Sequence, residues 1–279
     1  MAIDHGRKRD YVAPVAIAAI LTLLALWEFS SRRSAHVAFF YSSPSAVGSA
    51  LWRMFASEGL IVDVGVTASE AFAGTAGGAL LGSAIGLALW LSKRVARVAA
   101  PFVLVAANFP IFALAPAAIV WLGIGISMKV FLAGFATLFV SISLSYQGAK
   151  AAGEQFGGVF DGYSASSWDT YSKVIVPGAL ESVFGAIRVS VGLGILGAFV
   201  GEFVAAERGL GRVIIRASGL YQIDRVLAAS VCIIALAALS DRFARGLQAE
   251  RRSIARMFGL PARLRVRTRT MLKRPVDRS

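Results

Sequence analysis

Cysteine is nearly missing from this sequence: Cys232 is the only one among 279 residues. No internal disulfide can form, and a lone thiol inside an apolar run packs as a small hydrophobe. Histidine is almost as scarce, with His5 and His36 both outside the apolar runs. Membrane metalloenzyme chemistry needs clustered His, Cys, Asp or Glu ligands, and two separated histidines do not supply them. Charged residues make up 16% of the chain against 57% apolar residues, and the mean hydropathy is +0.68. That balance excludes a soluble globular domain and places the chain in a bilayer. There is no G-x-x-x-x-G-K-[ST] phosphate loop, so the chain has no such site for hydrolysing ATP. Ionisable groups in the apolar runs are too few for a proton relay of the kind that pumps use.

What is present is a series of apolar runs. A helix crossing a hydrocarbon core of roughly 30 Å needs about 20 residues, which leaves room for about six spans in one membrane domain. The runs fall at about Tyr11 to Phe29, Val66 to Leu91, Val98 to Leu122, Met128 to Tyr146, Val183 to Val204 and Val226 to Ala244. Arg7, Lys8 and Arg9 precede the first, but no small-residue cleavage site follows it, so a retained helix is expected rather than a signal peptide. The formal charge is +13. The basic tail around Arg263 to Arg269 could neutralise phosphates, but a multispanning chain collects Lys and Arg on its cytoplasmic side, and no nucleic-acid partner is expected. Sorted over six spans, 21 of the 29 Lys and Arg fall on one side and 8, Lys129 among them, on the other. Both termini are therefore expected in the cytoplasm.

Ser43 reads as an N-cap with Pro44 at the first helical position, and Val47, Leu51, Met54 and Phe55 share a face of a short interfacial helix. In the second span Gly74, Gly78, Gly82 and Gly86 repeat every four residues, which strips one helix face and lets a neighbouring backbone approach. Gly197 and Gly201 repeat that logic in the fifth span. Glu70, near the outer end of the second, reads as a snorkelling or interfacial carboxylate, with a substrate contact the alternative. The third span carries Pro101, Pro110 and Pro116. Prolines free carbonyls that other helices or a wet cavity must satisfy, so Asn108 and Pro110 are candidates to line a pore, with a plain interhelical hydrogen bond the alternative for Asn108. Asp241 is expected to pair with Arg242 or Arg245.

Between Tyr146 and Val183 the chain is polar and Gly-rich, and it contains no span. One helix is expected from about Lys150 to Tyr163. A second begins at the capping box Ser166-Ser167-Trp168-Asp169, carries Trp168, Tyr171 and Ile175 at helical spacing, and is expected to stop at Pro177. This is either a hairpin lying on the bilayer or a docking element for another protein.

The stretch from Gly157 to Gly211, read in order, resembles the cytoplasmic coupling loop and fifth membrane helix of binding-protein-dependent ABC importer permeases, in their nitrate, sulfonate and taurine branch. The family's loop reads Glu-Ala-Ala, three residues, Gly, nine residues, Ile-x-Leu-Pro. With Pro177 on the motif proline, Val174 and Val176 take the aliphatic positions and Ser164 the glycine. Gly158, Val159 and Phe160 stand where Glu-Ala-Ala would be, so the front half of the pattern is lost. The resemblance runs from about Ser43 to Ala244.

It implies an all-α polytopic protein with the type I ABC importer permease fold: an N-terminal helix and interfacial helix over 1–64, a permease core over 65–245 and a basic cytoplasmic tail over 246–279. It implies contact with a cytoplasmic ABC ATPase subunit through Ser164, Ser166, Trp168, Tyr171, Val174, Val176 and Pro177, and a translocation path past Asn108, Pro110 and Glu202. It implies further a homodimer in the lipid of a bacterial inner membrane, fed by a periplasmic solute-binding protein. No cofactor is bound by this chain; ATP-Mg belongs to the partner. The solute would be small and anionic, such as nitrate, a sulfonate or taurine. A self-sufficient carrier or channel is the alternative reading, and it would need coupling-ion sites that the spans do not offer.

Overall fold

In a computed structural model, the described residues are 12–160, 166–205 and 207–257, and they hold helices and no strand. In chain order the helices are α1 (Val12–Arg33), α2 (Ala35–Tyr41), α3 (Pro44–Ser57), α4 (Leu60–Ala88), α5 (Lys93–Ala107), α6 (Ile111–Leu122), α7 (Ile126–Phe160), α8 (Ser167–Thr170), α9 (Val176–Ala205), α10 (Leu210–Gly219) and α11 (Ile223–Met257). Five of these are long and apolar enough to cross a membrane, and α5 with α6 makes a sixth span if the bent pair is counted as one.

The core is a trio, α4, α7 and α9, and small residues set its register. A Cβ added at Gly74, Gly78, Gly82 or Gly86 would collide with the α7 backbone or side chains at Val130 and Ala133, Gly134, Leu138 or Ile142 respectively. Both series advance by four, so α4 and α7 run parallel, packed backbone to backbone as the glycine spacing predicts. From the other side, a Cβ on Gly197 would lie 2.6 Å from Ala133 Cα, and one on Gly201 3.1 Å from Lys129 Cα. Ser141 and Ser190 hydroxyls meet at 2.9 Å along the same seam. The α9 numbers fall as the α7 numbers rise, which makes α9 antiparallel to both partners. Buried Ser141 and Ser190 occupy little more room than alanine, and Gly194 and Gly78 make room for the hydroxyls of Thr75 and Thr137, so the three helices stay close.

The third run is not one straight helix. Its halves, α5 and α6, meet at 95°. Of its three prolines only Pro110 breaks the chain: it lacks an N–H and drives the residue before it out of helical geometry. Pro101 and Pro116 sit inside α5 and α6 without ending them.

Two expected boundaries are overturned. The fourth span does not end at Tyr146 to be followed by a separate helix from Lys150; α7 is a single helix of 35 residues. Nor does Pro177 stop its helix. The turn from Tyr171 to Ile175 is a π-helix, in which the Val176 N–H reaches back five residues to the Tyr171 carbonyl. The widened turn relieves the clash that a proline ring makes with the carbonyl four residues earlier, so α9 runs on to Ala205.

The flanking elements close one end of the trio. Ser43 caps α3, its Oγ accepting from Ala46 N at 3.2 Å, with Pro44 at the helix start as expected. Ala50 and Met54 of α3 bury against Leu60, Leu210, Ala228, Ala229 and Cys232. Arg225 of α11 donates from both terminal nitrogens to Glu58, at 2.9 and 2.6 Å. Helix α1 is tied on by Glu28, which accepts from the backbone N and the hydroxyl of Ser45. Otherwise α1 presents its apolar side chains outward, as a lipid-facing helix does.

Candidate functional site: a braced hairpin and a buried charge cluster

Helix α7 is about 52 Å long at 1.5 Å per residue, some 20 Å more than a hydrocarbon core requires. The excess projects beyond the bundle beside the start of the α8–α9 segment, and the two form one hairpin. Ser166 caps the second arm: its Oγ accepts from Asp169 N at 3.1 Å and donates to Asp169 Oδ2 at 2.6 Å. Lys173 reaches the other oxygen of Asp169 at 2.6 Å. The hairpin is braced from inside by Ala149, Ala152, Ile175 and Ala179, with Leu87, Trp90, Tyr171 and Val174 packed around them. The Tyr171 ring stacks on Trp90 at 6.2 Å and 26°. Gly153 makes room for that indole, because a Cβ there would lie 2.7 Å from Trp90 Nε1.

The coupling residues read from the sequence therefore divide. Trp168 is 65% exposed, and Pro177, further along the same arm, is exposed as well. Tyr171 and Val174 turn inward and hold the hairpin to the bundle; Val176 is half-buried. Ser164 lies outside the described residues. Trp168 and Tyr171 are in contact at 5.5 Å, yet only the first offers its ring to a partner.

At the opposite end of the trio lies a cluster that charge counting alone does not reveal. Lys129, three residues into α7, is buried and ion-paired with Glu70 of α4. Lys129 is thus not a solvated residue of the outer loop, and Glu70 does not snorkel. The lysine stem packs along Gly201 of α9, where a Cβ would sit 2.8 Å from Lys129 Cγ. Next to it, Glu202 is 1% exposed. Its Oε1 accepts from Thr67 Oγ1 at 2.6 Å and its Oε2 from Gly211 N at 2.7 Å.

These contacts fasten a turn. The three successive N–H groups of Gly209, Leu210 and Gly211 donate to Asp63 Oδ1 at 2.9 Å, Thr67 Oγ1 at 2.9 Å and Glu202 Oε2. Buried backbone donors are costly unless paired, and here every one is claimed by a side chain of α4 or α9. Glycine is required at 209, where φ is +113° and a side chain would run into the Glu202 carboxylate. Glu202, expected on a translocation path, has both its oxygens occupied and is shielded from solvent within the single chain. No signal in the sequence alone finds the cluster: it takes the register that sets Gly74 opposite Val130 to bring Glu70 to the first turn of α7.

Asn108 and Pro110 sit at the exposed bend between α5 and α6. Asn108 Nδ2 donates to the Leu104 carbonyl of its own helix at 2.8 Å, and the residue caps the C-terminal end of α5. The two helices around it carry exposed apolar side chains, Phe102, Val105, Val120 and Trp121 among them. Among the described residues no group of three His, Cys, Asp or Glu could hold a metal ion.

The fold has known counterparts. The inward-facing methionine ABC transporter MetNI superposes with a TM-score of 0.55 at 16% identity, over 67% of this chain and 95% of that one. At that identity the likeness concerns the fold. Among sequence relatives, the aliphatic sulfonates permease of Escherichia coli is 29% identical over 78% of this chain and 83% of its own length. The formylaminopyrimidine permease of Halalkalibacterium halodurans is 29% identical over 73% and 81%, and the taurine permease of Escherichia coli 29% over 61% and 62%. The family described as binding-protein-dependent transport system inner membrane component matches residues 78–253. That match covers more than half of the chain, and this chain belongs to that family of inner-membrane transport components.

Proposed function

We propose that the chain is the membrane subunit of an importer for a small organic solute of the sulfonate or taurine kind, driven by a separate ATPase that docks on the α7–α9 hairpin. The observation that carries the reading is the hairpin. Two helices that continue past the bilayer without a break make a lever: a push on the tip is transmitted along α7 and α9 to the seam where they pack on α4. A loosely tethered loop would absorb the push, whereas Trp90, Tyr171 and Ile175 pack this tip against the bundle. The exposed apolar face of α5 and α6 favours pairing with a second copy about a two-fold axis, since burying it between subunits enclosing the path would complete what one chain leaves open. On this reading the hairpin and both termini are cytoplasmic, in keeping with the Lys and Arg bias. A solute-binding protein would deliver on the opposite face, over α3 and α10.

The test is uptake in proteoliposomes holding the chain, the ATPase that co-purifies with it and the matching binding protein. Taurine, an alkanesulfonate, formylaminopyrimidine and riboflavin would be offered in turn. ATP-dependent accumulation of taurine or the sulfonate is expected, and it should stop when the phosphate loop of the ATPase is disabled. Accumulation without ATP would overturn the reading in favour of a secondary carrier; ATP-dependent uptake of only formylaminopyrimidine or riboflavin would move the substrate class.

A further inference from the structure

Between α4, α9 and α11 lies a crevice of about 430 Å³. Phe72 and Ala76 of α4, Ile187 and Val191 of α9, and Ser240 and Phe243 of α11 line it. Its lining is almost wholly apolar, and it forms a furrow between the three helices.

One end of the furrow is charged. Arg188 and Asp241 directly follow the lining residues Ile187 and Ser240 in the sequence. Arg188 Nε donates to Asp241 Oδ1 at 2.9 Å, and Arg245 donates to Oδ2 of the same carboxylate. Arg242 is exposed next to them. Among the described contacts two guanidiniums share one carboxylate there, each through a single nitrogen, and both arginines stay substantially exposed.

The depth of these groups is informative. Arg188 lies about 26 Å along α9 from its end at Ala205, and Asp241 about 27 Å along α11 from Ile223, at 1.5 Å per residue. Both distances approach the roughly 30 Å of a hydrocarbon core. The guanidiniums therefore stand at headgroup level while the furrow below them runs at the depth of acyl chains. Arginine at that level binds phosphate bidentately, and its stem stays in the apolar layer.

We infer that this crevice is a binding site for a resident anionic phospholipid, one acyl chain lying in the furrow between α4, α9 and α11 and the phosphate held by Arg188 and Arg245. The inference rests on the membrane placement of the chain and not on its substrate. A lipid there would bridge α11 to the trio at the end where the hairpin projects. The lipid would add to the packing of Ile233, Leu236 and Ala237 of α11 on Ala71, Ile195 and Ala198 and to the Arg188–Asp241 pair.

The experiment uses the full chain purified in mild detergent and analysed by native mass spectrometry. It is then returned to nanodiscs of phosphatidylglycerol with phosphatidylcholine to measure which lipid is retained. One phosphatidylglycerol per chain, enriched at least fivefold over its share of the disc, is expected to survive purification. Ala76→Phe fills the furrow and should abolish retention with the elution volume unchanged. Arg188→Gln with Arg245→Gln should keep a bound lipid but lose the preference for phosphatidylglycerol, and Arg188→Lys with Arg245→Lys should retain most of it. Retention by Ala76→Phe equal to the parent chain, or a preference untouched in the double Gln variant, would overturn the site. Occupancy by a helix of a second copy instead would show as a dimer lost on Ala76→Phe and no bound lipid in the parent. The readout is made on the isolated permease, so a wrong substrate assignment leaves it unaffected.

Discussion

Lys129 of α7 and Glu70 of α4 form an ion pair in which both side chains are less than one tenth exposed. A buried pair contributes little net stability when complete, because both ions were taken out of water. Breaking it is another matter.

Lys129→Met should therefore destabilise the chain by about 3–5 kcal/mol, the cost of leaving one buried charge without its partner. Combining it with Glu70→Gln should recover most of that loss. Thermal unfolding of the purified protein in detergent measures both. Equal losses in the single and double variants would mean that the pair does not act as a unit.

Gly77 and Gly78 are neighbours with opposite surroundings. A Cβ on Gly78 would strike the Gly134 carbonyl and Thr137 Oγ1, while nothing lies within 4 Å of one on Gly77. Gly78→Leu should abolish correctly folded material by forcing α4 from α7. Gly77→Leu, on the exposed face, should give near-normal yield. Size-exclusion profiles of the two variants decide it, and similar profiles would show that α4 and α7 do not pack as closely as this.

The glycine ladder was legible in the sequence because a four-residue repeat of small residues on a helix has one physical use, close approach. Which helix approaches was not legible, and that is why Lys129 was counted with the outer loop: a lysine near a helix end reads as solvated until the opposite helix is known to carry Glu70. The capping serines 43 and 166 were readable for the reverse reason, since a cap is satisfied within three residues of itself. Pro177 misled because a proline normally ends a helix, and the π-turn that accommodates it leaves no mark in residue types. The division between Trp168 and Tyr171 was hidden too. Both lie on the same side of one helical turn, and only Trp90, 81 positions before Tyr171, decides which ring is covered.

The turn at Gly209 to Gly211 offers a further test. Gly209→Ala would have to hold φ near +113° and press on the Glu202 carboxylate, and strain of that kind costs about 1–3 kcal/mol. Glu202→Ala should remove the acceptor for Gly211 N and loosen the start of α10 without touching the hairpin. Hydrogen exchange across 207–215 should rise in both variants, and exchange across 149–154 should not. Unchanged protection at Gly211 in Glu202→Ala would show that the carboxylate is not what holds the turn.

The aromatic pair at the hairpin separates folding from docking. Trp168 is exposed and braces nothing beyond Tyr171, so Trp168→Ala should leave yield and thermal stability within about 0.5 kcal/mol of the parent, as surface changes do. If its ring is an anchor for the ATPase, the same change should weaken that association by about 2 kcal/mol, close to thirtyfold in Kd. Tyr171→Ala removes the ring that covers Trp90, and its loss should appear first as instability of the hairpin, seen as faster exchange over 149–154, with ATPase binding failing in consequence. Trp90→Ala should reproduce the Tyr171 result although Trp90 is on neither arm of the hairpin. Binding of the co-purifying ATPase and exchange, measured on all three variants, separate the two roles. Normal ATPase binding by Trp168→Ala would assign the exposed indole to the bilayer surface, and docking would then have to rest on the rest of the tip.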